Sequence, residues 1–207
     1  MIENQNVPVF KFLEFGADLK DVEKGEKDDF PKLDQWLKAI QRNQAVIFDL
    51  NGLEYIGYSY AKQTIRRSLQ KLLDGKYNAY AILLRYDGDD VKTKLDGISY
   101  ALFERSMTCV LENSAKSSYQ LVGYLTYEES VFDTVKDKNK REKMRALMEL
   151  LLKKSELYTN EVAKKLALKL PYCNRLLDEL AAMRLLTRVK EASPSGGPIY
   201  LNQIMIA

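Results

Sequence analysis

Apolar residues follow two rhythms over the first 126 positions and then settle into one. "VPVFKFLEF" (7–15) is a Val/Phe-rich run with the look of a strand, and a polar, acidic connection follows it. Leu33, Trp36, Leu37 and Ile40 then recur at three- and four-residue spacing, which predicts a helix capped by Asp29 with Pro31 in its first turn. "QAVIFDLNGL" (44–53) is nearly continuous in apolar residues and ends in Asn-Gly, as a strand covered on both faces would. Ala61, Ile65, Leu69 and Leu72 mark the next helix, which Gly75 can end. A strand "AYAILLRY" (79–86), a helix with Val91, Leu95, Ile98 and Leu102 inward, and strands "TCVL" (108–111) and "YQLVGYL" (119–125) complete the series.

Such alternation predicts an α/β layer with right-handed crossovers and some parallel pairing. We assign residues 1–130 to this first domain. Beyond it the period is helical. A charge-dense span, "KDKNKREK" (136–143), is either a solvated connecting helix or the start of the second domain, residues 131–207. Met144, Leu147, Met148, Leu151 and Leu152 stripe a first helix, and a second opens at Thr159, a good N-cap, with Val162, Ala163 and Leu166 inward. A third runs from Pro171 to Leu185 with Cys173, Leu177 and Leu180 on one side, and two short β-like runs joined by a Ser/Pro/Gly turn follow it.

Composition narrows the chemistry. The 207 residues are 46% apolar and 29% charged, as in an ordinary globular protein, and contain no histidine. Without imidazole there is no Ser-His or Cys-His pair and no base of unperturbed pKa near neutrality, so no enzyme activity and no cofactor are expected. The two cysteines, Cys109 and Cys173, lie far apart with no CxxC spacing, which suggests neither a disulfide framework nor a zinc site. No apolar run reaches the roughly 20 residues of a membrane span, and a cytoplasmic location is expected. The net charge of +3 divides unevenly: residues 1–135 carry −4 and residues 136–207 carry +7. That split points to a basic module that meets a polyanion, although lysine-rich helix surfaces that are merely solvated give the same signal.

The stretch "LALKLPYCNRLLDELAAMRLLTR" (166–188), three helices deep and followed by a hairpin, resembles the second half of a bacterial winged helix-turn-helix. The resemblance implies that Leu166 and Leu168 pack the turn, that Cys173 takes a small apolar position, and that Leu177, Leu180, Leu185 and Leu186 face the core. It further implies that Lys169, Tyr172, Asn174 and Arg175 project toward a major groove, with Asn and Arg able to pair with base edges. Lys164 and Lys165 on the second helix, and Arg188 and Lys190 on the wing, would meet phosphates. This chain departs from the pattern at Lys169, where a Ser or Thr cap is usual, and at Ala167 and Arg184, where glycine is usual. Leu176 is expected to point outward, and Asp178 and Glu179 place negative charge near the reading face.

A second resemblance rests on "AVIFDLNGLEYIGYSYAKQTIRRSL" (45–69), whose "FDLNGL" is similar to the strand ending of the STAS fold of anti-sigma factor antagonists and STAS-like domains. Gly57, Tyr58, Ser59 and Tyr60 stand where that family has its Asp-Ser-Ser-Gly loop, and only Ser59 is kept. The resemblance makes Ser59 a candidate phosphorylation position at a helix start, where a phosphate would meet unpaired N–H groups; a serine there is also an ordinary N-cap. Tyr58 and Tyr60 can belong to a partner surface or cover the core. Asp87, Asp89 and Asp90 in "YDGDDV" lack the spacing of a calcium loop and read as a turn with capping aspartates.

Together these features describe an α/β protein with a STAS-like N-terminal sheet and a C-terminal winged helix-turn-helix. The expected function is a bacterial transcription regulator that binds double-stranded DNA, under control of a protein partner of the first domain, with a homodimer as the form suited to paired half-sites. The competing reading is a protein-interaction adaptor, or partner-switching module, that does not bind DNA.

Overall fold

The computed structural model describes residues 7–127, 135–192 and 198–204. The chain divides into two compact units, Met1–Tyr127 and Glu128–Ile206; the boundary expected between residues 130 and 131 lies outside the described residues. It is a mixed α/β structure with a mostly parallel central sheet. No described helix is long and apolar enough to cross a membrane.

The N-terminal unit is built on five strands, β1 (Val9–Lys11), β3 (Ala45–Asp49), β5 (Ala81–Arg85), β6 (Thr108–Asn113) and β7 (Ser118–Gly123), in the order β1-β3-β5-β6-β7. The first four are parallel, with Ala45 opposite Ala81 and Arg85 opposite Glu112, and β7 returns antiparallel to β6. A small parallel pair, β2 (Asp18–Leu19) and β4 (Tyr55–Ile56), lies apart from this sheet. Val46, Phe48, Ile82, Leu84 and Leu111 belong to one core, packed with Leu33, Leu37, Ile65, Leu72, Ile98 and Leu102 of the helices. Their neighbours Ile47, Leu83 and Val110, which point to the other face, are buried too. This two-sided burial is why β3 and β5 read as continuous apolar runs rather than alternating ones.

Two of the helices are longer than their apolar stripes suggest. One begins at α1 (Val22–Lys24), passes through a π-helical turn (Gly25–Asp29) and continues as α2 (Phe30–Lys38). Its N-cap is Asp21, whose carboxylate accepts from the Lys24 N–H at 3.0 Å. Asp29, expected as the cap, is instead 1% exposed and accepts a 2.7 Å hydrogen bond from the Tyr60 hydroxyl. The wide turn sits just ahead of Pro31, whose ring would otherwise press on the carbonyl four residues back. The second long helix joins α3 (Tyr58–Ala61) and α4 (Arg67–Leu73) through another π turn (Lys62–Arg66). Residues 7–15 also differ from expectation: only Val9–Lys11 is strand, and Phe12–Phe15 coil into a 3₁₀ turn. Phe10, Phe12 and Phe15 thereby meet one another at 5.1–5.8 Å, and Phe12 meets Phe48 at 5.2 Å. Ring packing outweighs strand propensity here.

Asp34 ties α2 to its neighbours, accepting from Lys38 and Lys71 at 2.7 Å and from the Tyr77 hydroxyl at 2.6 Å. Burial works to raise its pKa, but the three donors outweigh burial and hold the carboxyl far below the ordinary range. A depressed folded-state pKa means stability that is complete above the unfolded value of about 4 and drains away as pH falls below it. Asp34→Asn is therefore expected to cost about 1–2 kcal/mol at pH 7. Fluorescence of Trp36, the chain's single tryptophan, can follow the unfolding. The gap between variant and wild type should narrow below pH about 4; a gap independent of pH would show that the carboxylate's charge is not what matters.

In the C-terminal unit, α6 (Val135–Lys154) leads to β8 (Glu156–Tyr158), α7 (Thr159–Lys165) and α8 (Leu170–Ala182). Strands β9 (Thr187–Ala192) and β10 (Pro198–Gln203) follow. The strands form an antiparallel sheet in the order β8-β10-β9, with Tyr200 opposite Lys190. Met144, Leu147, Met148, Leu151, Val162, Cys173, Leu177, Leu180 and Leu186 are buried. Leu176, expected to point outward, is fully buried with them, because it falls on the stripe defined by Cys173, Leu177 and Leu180. Thr159 is not the cap of α7: Tyr158 holds that position, and the Thr159 hydroxyl is turned into the core.

Candidate nucleic-acid interface

The turn between α7 and α8 is made by Ala167, at φ +51°, and the end of α8 by Arg184, at φ +62°. Both are left-handed positions that glycine fills at no steric cost, and a side chain there costs about 1 kcal/mol. Lys169 occupies the N-cap of α8 without a capping side-chain hydrogen bond. Across this turn Lys164, Lys165 and Lys169 are exposed, as are Arg175 on α8 and Lys190 on β9. None of the five has an ion pair among the described residues.

Arg188 and Asn174 have a different use from the one their positions in the sequence suggest. The Arg188 side chain is only 9% exposed and donates to five acceptors. Nε reaches Asn202 Oδ1 at 3.0 Å, and Nη2 reaches Asn174 Oδ1 at 2.7 Å and Thr159 Oγ1 at 3.2 Å. Nη1 reaches the Asn174 carbonyl at 3.4 Å and the Asp178 carboxylate. Its guanidinium also lies 4.5 Å from the centre of the Tyr200 ring. Asn202, itself fully buried, donates onward to the Leu157 carbonyl and to Thr159 Oγ1. The Arg188 donors thus join β9 to α8, to the start of α7 and to β10, and Asn202 carries the network on to β8, so Arg188 is occupied within the fold and holds the Asn174 amide with it.

The two carboxylates that argued against an anionic partner are both paired. Asp178 faces Arg188, and Glu179 meets Lys140 of α6 at 2.5 Å. Tyr172, half-buried, lies on the α6 side of α8, with the Arg175 guanidinium 5.1 Å and the Lys143 ammonium 5.3 Å from its ring centre. Lys140 and Lys143 escaped sequence reasoning. Their signal was the charge run 136–143, whose i, i+3 spacing puts both on one flank of the helix. Cys173 is fully buried, its thiol pushed up by burial despite nearby Arg188, and among the described residues its Sγ reaches the Thr159 carbonyl, at 3.9 Å. It packs as a small apolar side chain.

In the N-terminal unit, Ser59 is the second residue of its helix, after the N-cap Gly57, and is half-buried. Beside it Tyr58, Tyr100, Tyr127 and Phe103 form a row of rings spaced 5.0, 5.4 and 4.8 Å apart, with Tyr100 40% exposed. The Tyr58 hydroxyl donates to Glu104, which also pairs with Arg66, each at 2.7 Å. That hydrogen bond, ahead of burial, raises the phenol's pKa. The turn after β5 is used internally: Asp87 accepts from Ser114 N at 2.6 Å and from Asn51 Nδ2 at 2.9 Å. Asp89 pairs with Lys116, and Asp90 accepts from the Tyr86 hydroxyl. Burial and that bond to Asp90 push the Tyr86 phenol up to about 12. Among the described residues there is no cluster of three metal-ligating side chains.

Comparison with known proteins adds no relative: no family model, no curated protein and no solved structure matches this chain.

Proposed function

We propose that the protein is a two-part transcription regulator, in which a winged helix-turn-helix unit binds duplex DNA and a STAS-like unit receives a protein partner. The observation that carries this reading is the exposed cationic set around α7 and α8, with the acidic residues of α8 already neutralised by the chain's own Arg188 and Lys140. A polyanion is what such a surface attracts. Lys164, Lys165, Lys169 and Lys190 hold phosphates, Arg175 reaches base edges from α8, and Asn174 and Arg188 keep that helix in place against the wing. The row of tyrosines beside Ser59 suits a protein contact, since aromatic rings are enriched at the centres of interfaces. Phosphorylation of Ser59 would alter that contact by adding nearly two negative charges. We read it as a cytoplasmic, bacterial-type regulator working as a homodimer on paired half-sites.

Binding of a labelled random duplex, measured by fluorescence anisotropy over a salt series, tests the reading. Four phosphate-holding lysines give a log-log slope of about −3.6 for each protomer bound. The adaptor reading draws on Leu170, 48% exposed, which with Pro171 makes the entrance of α8 apolar. An adaptor shows no salt-dependent duplex binding, and that result would set aside the DNA reading.

A further inference from the structure

We infer that α6 is part of the nucleic-acid contact, through a unit of three side chains, Lys143, Tyr172 and Arg175, that holds one backbone phosphate beside the base edge that Arg175 reads. The inference rests on the DNA-binding reading above and extends it to a helix outside the helix-turn-helix itself.

Two cations converge on one ring: the Lys143 ammonium is 5.3 Å and the Arg175 guanidinium 5.1 Å from the centre of Tyr172. Both are exposed, and neither has a carboxylate partner among the described residues. A chain that needed only to cover Tyr172 gains less from a second cation there than from a first, because their repulsion offsets part of the cation–π attraction. A backbone phosphate of a duplex laid along this side of α8 supplies the anionic partner that both cations lack among the described residues. The other acidic residue on this side, Glu179, is taken up by Lys140 at 2.5 Å, and so does not compete for Lys143. Glu142 is exposed next to Lys143 in sequence, but adjacent residues on a helix point about 100° apart.

The three side chains divide the work. Tyr172 is a positioning residue: its ring restrains the Arg175 side chain while leaving the guanidinium donors unpaired, so less rotamer freedom is lost when a base edge is met. Lys143 supplies charge without sequence information. Removing it should lower affinity for every sequence alike, whereas removing the ring should disturb both affinity and sequence preference.

The test uses the full-length protein, a salt series on a random duplex, and a selection from random duplexes to define the preferred site. Lys143→Ala should weaken binding about threefold to tenfold and flatten the log-log slope by about 0.9, with the preferred site unchanged. Tyr172→Phe keeps the ring and should behave as wild type, whereas Tyr172→Leu should both weaken binding and blur the preference at one base pair. Lys143→Glu with an unchanged slope, or Tyr172→Leu with an unchanged site, overturns the inference while leaving duplex binding itself intact. Absence of salt-dependent binding by the wild-type protein overturns the DNA reading and this extension with it.

Discussion

Arg188→Ala should destabilise the C-terminal unit by about 3 kcal/mol, with the buried Thr159 and Asn202 and the half-buried Asn174 each losing a donor. In a unit of fewer than 80 residues that corresponds to a midpoint lower by roughly 10 °C or more. Far-UV circular dichroism of the full-length protein reads it directly. Arg188→Lys should recover only a small part, because one ammonium cannot reach acceptors arranged for a planar fork. If Arg188 instead served a phosphate on the wing, the alanine variant would melt like wild type and only its DNA affinity would drop. The two outcomes differ in which measurement moves, so the experiment separates a fold-holding role from a binding role.

Gly97→Ala should cost about 2–3 kcal/mol in the N-terminal unit, followed through Trp36 fluorescence. Gly97 lies in α5 (Val91–Phe103), where the helix crosses the backbone entering α3. A Cβ there would stand 2.8 Å from the Tyr58 nitrogen and 2.9 Å from the Ile56 carbonyl oxygen, too close to backbone that cannot swing aside. Helix propensity alone gives the opposite sign, since alanine is favoured over glycine by about 1 kcal/mol inside a helix. An alanine variant as stable as wild type, or more so, would mean that α5 does not seat there. A destabilised variant shows that the absence of a side chain is what lets the backbone entering α3 seat against α5.

The strands β3, β5, β6 and β7 were legible because each is a compact apolar run bounded by turn residues. The stripes of α2, α5 and α8 were legible for the corresponding reason in helices. What escaped has identifiable causes. The π turn at Gly25–Asp29 shifts the phase of the apolar pattern by one residue, so a reading by 3.6-residue period detects only the part after it and assigns a cap to Asp29. Phe12 and Phe15 have strand-like identity, yet their rings meet only when the chain coils. Leu176 lies next to Leu177, and only a full wheel of α8 shows that the buried stripe is wide enough for both. For the interface, exposure of Lys164, Lys165 and Lys169 followed from the helical period. The engagement of Arg188 by five acceptors depends on β9, β10 and two helices meeting in space, and no local pattern encodes that. The approach of Lys143 to Tyr172 is long-range for the same reason.

The position of β1 at the margin of the five-stranded sheet bears on how copies of the protein can associate. Among the described residues it has a strand neighbour on one side only; it is three residues long, follows Pro8 and carries an exposed Lys11. So short and charged a border offers little template for a foreign strand, which is how natural sheets avoid growing into aggregates. A second copy of this chain therefore finds little to pair with at β1, whereas the six-residue β7 forms the opposite edge of the same sheet.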